Sequence, residues 1–402
     1  MISPTQRVAT VPPYVFSVLD RKVEALRSRG VRVMDLSKSD PDLPPPREVI
    51  QALQSAVEAA PSHLYPPFRG TKALRQAVAQ RYRERHGVSL DPEREVFVLS
   101  GSKEGIAHLA LAFLDPGDVA LVPDPAYPTY RAATLLAGAT PVLLPLEGAR
   151  RFLPDLDAIP PDTWRRARLM YLNYPNNPTG AVADEPFLRR VVDLAREHQV
   201  TVLFDRAYGE IGLHGYVAPS FLAVPGAREV ALEVWTFSKP FSMQGLRLGV
   251  LVGAADLVDR FAVVETNFMA GVYTPLQAAG VVALGPAGDW HVKALNERYA
   301  QRQRRVLGEL ARMGYHVLPP AATVYLWVPT VEGMTSQEMT DRLLEEAHVA
   351  LSPGSGFGPA GEGYVRVSLT AADADIDAAM AAWADWMARH GHRVRPEVPV
   401  GV

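Results

Sequence analysis

Residues 98–105 read Val98-Leu99-Ser100-Gly101-Ser102-Lys103-Glu104-Gly105, and the fold is decided there. An apolar, β-branched run stops at small residues, and the period of the pattern then changes. From Ser102, the apolar positions Ile106, Leu109 and Phe113 recur at three- to four-residue spacing, which predicts a helix over 102–114. A strand that passes directly into a helix is the repeating unit of an α/β fold. The same alternation continues on both sides. Residues 96–100, 119–123, 141–146, 169–173, 201–205, 234–238 and 249–252 read as strands, with a further helix over 185–199. Strands apolar on both faces and separated by helices predict a mainly parallel, seven-stranded sheet covered by helices.

The chain has 402 residues, enough for two or three domains. Its 35 prolines gather at joints such as Pro44-Pro45-Pro46, Pro160-Pro161 and Pro319-Pro320, where a fixed φ and a missing N–H disfavour regular structure. Residues 46–275 form the expected large domain, and 276–392 a smaller α+β domain. The smaller domain should contain a long helix over 290–313, strands at 324–328 and 364–368, and a terminal helix over 374–389. Residues 1–45 read as an arm that completes the small domain, and 393–402 as a Pro- and Arg-rich tail. The 41 Lys and Arg nearly balance 44 Asp and Glu, for a net charge of -3, which disfavours nucleic acid or an anionic membrane as partner. With no cysteine there is no disulfide framework, thiolate metal site or thiol nucleophile, which suits a reducing cytoplasm. No apolar run approaches the ~18 residues of a membrane span, and the N-terminal stretch lacks the apolar core of a signal peptide.

Three patterns mislead. Gly356-Phe357-Gly358-Pro359-Ala360-Gly361 matches G-x-G-x-x-G, but a strand-like segment follows it where a dinucleotide site needs a helix. No histidine sits in an H-E-x-x-H pattern, so no metal site is expected. The run Arg81–Arg85 reads as a solvated helix face.

The residues that carry chemistry stand at strand ends. Lys239 lies in Trp235-Thr236-Phe237-Ser238-Lys239-Pro240-Phe241-Ser242-Met243. An amine among apolar groups loses charge stabilisation and gains nucleophilicity, which suits a Schiff base with a carbonyl substrate or with pyridoxal phosphate. Arg247, eight residues on, offers a guanidinium fork to a phosphate, and Thr236 offers a hydroxyl. Gly101-Ser102-Lys103 opens a helix, where backbone N–H groups meet an anion; alone, it is as readily a capped helix with no ligand. Asp205, at the end of the 201–205 strand, is either a turn residue or the partner of a pyridine nitrogen, with Tyr208 beside it. Asn173-Tyr174-Pro175-Asn176-Asn177-Pro178-Thr179-Gly180 is a turn by composition.

These motifs, in this order over about 30–390, resemble the class I pyridoxal-phosphate aminotransferases of fold type I. The resemblance implies that Lys239 forms the Schiff base and moves a proton between the substrate Cα and the cofactor. It implies Asp205 at the ring nitrogen, Asn177 and Tyr208 at the ring oxygen, and Tyr127 stacked on the ring. Gly101, Ser102, Lys103, Thr236 and Arg247 would hold the phosphate, joined by Tyr65 from the neighbouring subunit of a homodimer. Arg366 would clamp the substrate carboxylate, with Asn177 and Ser39 close by, and the loop 267–277 is expected to line the pocket, from the same chain or from the partner subunit. In Asp35-Leu36-Ser37-Lys38-Ser39-Asp40, Lys38 and Ser39 stand where the family has an apolar residue and a glycine. Leu246 replaces a usual tryptophan.

The expected activity is ping-pong amino transfer between an L-amino acid and a 2-oxo acid. The stretch Gly101–His108 looks most like the branch acting on diaminopimelate or its N-acyl (N-succinyl) precursor. A C–S β-lyase shares the same binding constellation and stays open as an alternative. A regulator would need a DNA-binding module, and no helix-turn-helix or basic arm precedes residue 30.

Overall fold

The computed structural model describes residues 4–395. Seven strands form one sheet: Val96–Leu99 (β1), Val119–Asp124 (β2), Thr140–Pro145 (β3), Ala167–Asn173 (β4), Thr201–Asp205 (β5), Ala231–Thr236 (β6) and Gly249–Gly253 (β7). Their order is β1-β7-β6-β5-β4-β2-β3. Only β7 runs antiparallel to its neighbours, and the remaining pairs are parallel. Successive side chains of a strand serve opposite cores, because the side-chain period is two. Val96 and Val98 of β1 join Leu74, Val78 and Trp235 on one face. Phe97 and Leu99 join Ile106, Leu109 and Phe261 on the other.

A separate core gathers Leu36, Leu295, Tyr299, Leu343, Val365 and Trp383. It is built on an antiparallel sheet of Tyr325–Pro329 (β8), Ser352–Pro353 (β9) and Tyr364–Ser368 (β10), in the order β9-β10-β8. The helices Pro286–Arg312 and Asp373–His390 pack here, within a few residues of their expected limits. The Ser336–Ala347 helix, closed by a Thr335–Glu338 capping box, has no counterpart in the sequence reading. Neither does the parallel pairing of Met34–Asp35 with Val349–Ala350, which draws the N-terminal segment into this core.

One expectation is corrected: Arg81 does not belong to a solvated face. On the Lys72–His86 helix it falls on the same side as buried Leu74 and Val78, and it is itself buried. Its guanidinium pairs with Glu210 at 3.0 Å and Asp289 at 2.9 Å. A run dense in arginine hides which one turns inward. Around Gly356–Gly361 the chain makes two short 3-10 turns and then enters β10, so no helix follows the glycines. The tail beyond 395 lies outside the described residues. Among them, no helix is long and apolar enough to cross a membrane.

The carboxyl ends of β1, β2, β4, β5 and β6 share one edge of the sheet. That edge is where open α/β sheets bind ligands.

Candidate active site

Asp205 closes β5 and is buried. Its Oδ2 accepts from the Tyr130 hydroxyl at 2.7 Å and its Oδ1 from the Ala207 N–H at 3.0 Å. Burial pushes the carboxyl up to about 6, against those two bonds, which favour the anion. Among the described residues, no cation pairs with it. Asn173, at the end of β4, donates to the Asp205 carbonyl at 2.8 Å, tying the two strand ends together. The Asn173 and Asn176 side chains also fix the following turn, each accepting from a backbone N–H. That turn delivers Asn177, whose Oδ1 accepts from Arg366 Nη1 at 2.7 Å. Tyr208 shares a 2.5 Å hydroxyl contact with Tyr325. Tyr127 meets the Tyr130 ring edge-on, with centroids 5.8 Å apart.

The Ser102–Phe113 helix begins directly after β1, and its first amides have no partner within the helix. Gly101 has φ +89°, and a side chain there would collide with the Arg247 guanidinium. Arg247, itself at φ +58°, donates to the Gln244 carbonyl at 2.9 Å and has no acidic partner among the described residues. The Thr236 hydroxyl lies 3.0 Å from Ser238 Oγ. Free amides, hydroxyls and an unpaired guanidinium together make an anion cradle. The Lys103 ammonium sits 4.1 Å over the Tyr14 ring, and burial together with Arg247 lowers its pKa.

Lys239 follows β6, and its Nζ donates to the Ser39 carbonyl at 2.8 Å and to Ser39 Oγ at 2.9 Å. Burial holds this amine below the usual lysine range. Arg366, on β10, is buried among the rings of Tyr325, Phe357 and Phe16. Its Nη2 donates to the Ser37 carbonyl at 2.7 Å, while its Nε lacks a partner. Among the described residues, no carboxylate neutralises it.

One cavity of about 640 Å³ joins these groups. Every residue singled out from the sequence lines it, apart from Gly101, behind Arg247, and Tyr65. Tyr65 stands on the surface, 90% exposed, beside exposed Leu64 and Phe68. The segment 267–277 does not line the cavity of its own chain; from Thr274 it is a helix, Thr274–Ala283. Tyr14, Phe16, Tyr130, Asn173, Ser238 and Tyr325 line the cavity and were given no site role in the sequence reading, although Asn173 and Ser238 stand in its motifs. Tyr130 and Ser238 could have been found as near neighbours of Tyr127 and Lys239. Tyr325 comes from the other core and Phe16 from the Val15–Arg27 helix, and neither carries a local signal.

Glu104, His108 and Glu265 converge behind the cradle, with His108 Nδ1 2.7 Å from Glu265 Oε2. Burial lifts the Glu104 carboxyl to about 7, and the bond to Glu265 raises the His108 pKa. The three groups brace the Ser102–Phe113 helix against the Ala255–Phe268 helix.

An anion cradle, an amine of lowered pKa and a buried, unpaired acid fit pyridoxal phosphate, which presents a phosphate, an aldehyde and a basic ring nitrogen. Fold and site together define a pyridoxal-phosphate enzyme of amino-acid chemistry. The family "Aminotransferase class I and II" matches residues 31–382, and the chain belongs to it: it is a pyridoxal-phosphate-dependent enzyme that transfers amino groups. An LL-diaminopimelate aminotransferase of Moorella thermoacetica is 46% identical over 366 residues, covering 91% of this chain and 93% of that one. BacF of Bacillus subtilis superposes with a TM-score of 0.92 at 34% identity, covering 96% and 98% of the two chains. A probable N-succinyldiaminopimelate aminotransferase of Thermus thermophilus superposes at 0.86 with 38% identity, covering 92% and 100%.

Proposed function

We propose that this aminotransferase takes LL-diaminopimelate, or an N-acyl form of it, as amino partner and works as a cytoplasmic homodimer with shared sites. The observation that carries the reading is the convergence of Lys239, Asp205 and Arg366 on one cavity, 40–46% identity to LL-diaminopimelate aminotransferases supplying the substrate. When bound, pyridoxal phosphate supplies the aldehyde that takes up the amino group and the ring that withdraws electrons from the α-carbon. Asp205 keeps the ring nitrogen protonated, Asn177 and Tyr208 hold the ring oxygen, and Tyr127 covers the ring. Gly101, Ser102, Lys103, Thr236 and Arg247 hold the phosphate. Arg366 fixes the substrate α-carboxylate through its guanidinium. Lys239 would take the α-proton of the substrate and give it back on the cofactor side of the transferred nitrogen, since a neutral amine within reach is a competent base. Aromatic walls at Tyr14, Phe16 and Tyr325 exclude water from that transfer.

Besides Lys103, the cavity lining includes Asp40 and the ion pair of Lys38 with Asp20 at 3.2 Å, charges of both signs that suit the second ammonium and carboxylate of a diamino diacid. The exposed residues Leu64, Tyr65, Phe68, Phe268 and Tyr273 support a face for a second copy, Gly271 lying against Pro66 and Pro67 between the two segments. A chain without cysteine suits the cytoplasm.

Absorbance of the purified protein with pyridoxal phosphate, followed as amino acids are added singly, tests the reading. Diaminopimelate should abolish the visible band at lower concentration than alanine, aspartate or glutamate, and a 2-oxo acid should restore it. No advantage for diaminopimelate or its N-acyl forms would remove the substrate assignment.

A further inference from the structure

Lys239 commits two of its ammonium hydrogens to one residue. The Ser39 carbonyl takes the first at 2.8 Å and Ser39 Oγ the second at 2.9 Å. The two contacts differ in kind: any residue at 39 supplies the carbonyl, but only a hydroxyl side chain supplies the second acceptor.

The backbone that presents this hydroxyl is fixed at each preceding residue. The Ser37 N–H and hydroxyl both donate to Asp35 Oδ1, at 3.1 and 2.6 Å. The Ser37 carbonyl accepts from Arg366, and the Lys38 carbonyl from the Thr370 hydroxyl at 3.2 Å. The Lys38 ammonium turns to Asp20 at 3.2 Å, clear of the lysine that it neighbours in space. The hydroxyl is therefore a preorganised acceptor, with little entropy left to lose when the amine arrives.

We propose that the Ser39 hydroxyl is a positioning group for the reactive amine, holding Lys239 Nζ in one orientation whenever that nitrogen is not bonded to carbon. A lysine released during the reaction then returns to a fixed place, from which it takes and gives back the α-proton. The role in transfer rests on the function proposed above; the contact itself does not.

Other groups also act on this amine. Tyr325 on β8 and Asp40 on the same loop favour its charge, whereas burial, Arg366 on β10 and Arg247 oppose it. Ser39 adds to the favourable side, so removing its hydroxyl should weaken the ammonium form. Competitive acetylation of the cofactor-free protein by acetic anhydride, read by mass spectrometry at the Lys239 peptide across pH, measures this directly. In Ser39→Gly and Ser39→Ala the neutral fraction at a given pH should rise about tenfold, the worth of one hydrogen bond to a charged group. Ser39→Thr should stay with the wild type. In the loaded enzyme, Ser39→Gly should also slow exchange of the donor's α-hydrogen with solvent deuterium about fivefold or more, with the donor KM unchanged. Coincident labelling profiles for wild type and Ser39→Gly would overturn the proposal, as would a Ser39→Thr profile matching Ser39→Gly. The labelling needs neither coenzyme nor donor, so its failure is distinct from a failure of amino transfer.

Discussion

Between about pH 4 and pH 6, Asp205 takes up a proton when the cofactor-free chain folds, because burial moves its carboxyl from an ordinary 3.8 to about 6. A raised acid pKa means that the native state binds the proton more tightly than the unfolded state. Stability is then fullest below pH 4 and is lost as pH rises from about 4 to about 6. Asp205→Asn removes this dependence. At pH 8 the cofactor-free variant should be more stable than the wild type by about 3 kcal/mol, with no gain at pH 4. Urea denaturation of both proteins at the two pH values checks it. The same substitution should weaken pyridoxal phosphate binding by tenfold or more, since an amide is no counter-charge for a ring cation; equilibrium dialysis reads that loss. Asp205, Lys239 and Arg366 were legible in the sequence because a charged group at the end of, or within, an apolar strand is conspicuous. Tyr130 was not, since an aromatic residue in a helix reads equally well as core. Its closeness to Tyr127 in the chain was the one hint, and the 2.7 Å bond to Asp205 is what gives it a place in the site.

The passage from β1 into the Ser102–Phe113 helix is the element on which the anion cradle depends. Gly101→Ala places a methyl group against the Arg247 guanidinium at a φ that L-residues rarely adopt. The expected result is a coenzyme affinity at least tenfold lower, with about 1–2 kcal/mol of stability lost; absorbance titration and thermal melting separate the two effects. Elements of this kind were legible because β1, β5 and β6 bury both faces and must be apolar throughout. The two-residue strands Met34–Asp35 and Val349–Ala350 were not, being too short to show a period. The Thr274–Ala283 helix was partly read as loop. Its Pro275 occupies the first turn, where proline starts a helix that it would break further along.

At the scale of the whole molecule, the exposed apolar face around Tyr65 is the proposed seat of the second copy. In the proposed homodimer, a charge in the midst of this face, Phe68→Glu, should separate the two chains and reduce coenzyme retention, because the proposed Tyr65 contact would be lost with the interface. Sedimentation at matched concentrations measures the first effect and dialysis the second. A wild-type protein that already sediments as one chain would remove the shared-site arrangement. Nothing in the periodicity of 64–68 reveals this face, since a sequence read singly shows apolar residues without showing which ones another copy covers.

The cavity is walled by two cores that do different work. The large sheet supplies Asp205, Thr236 and Lys239, while the smaller core supplies Arg366, Tyr325 and the loop from Leu36 to Ser39. Under the proposed roles, a change in the smaller core alters the grip on substrate without touching Asp205 or Thr236, yet Ser39 ties that core to the amine of Lys239, so the two halves cannot drift wholly apart.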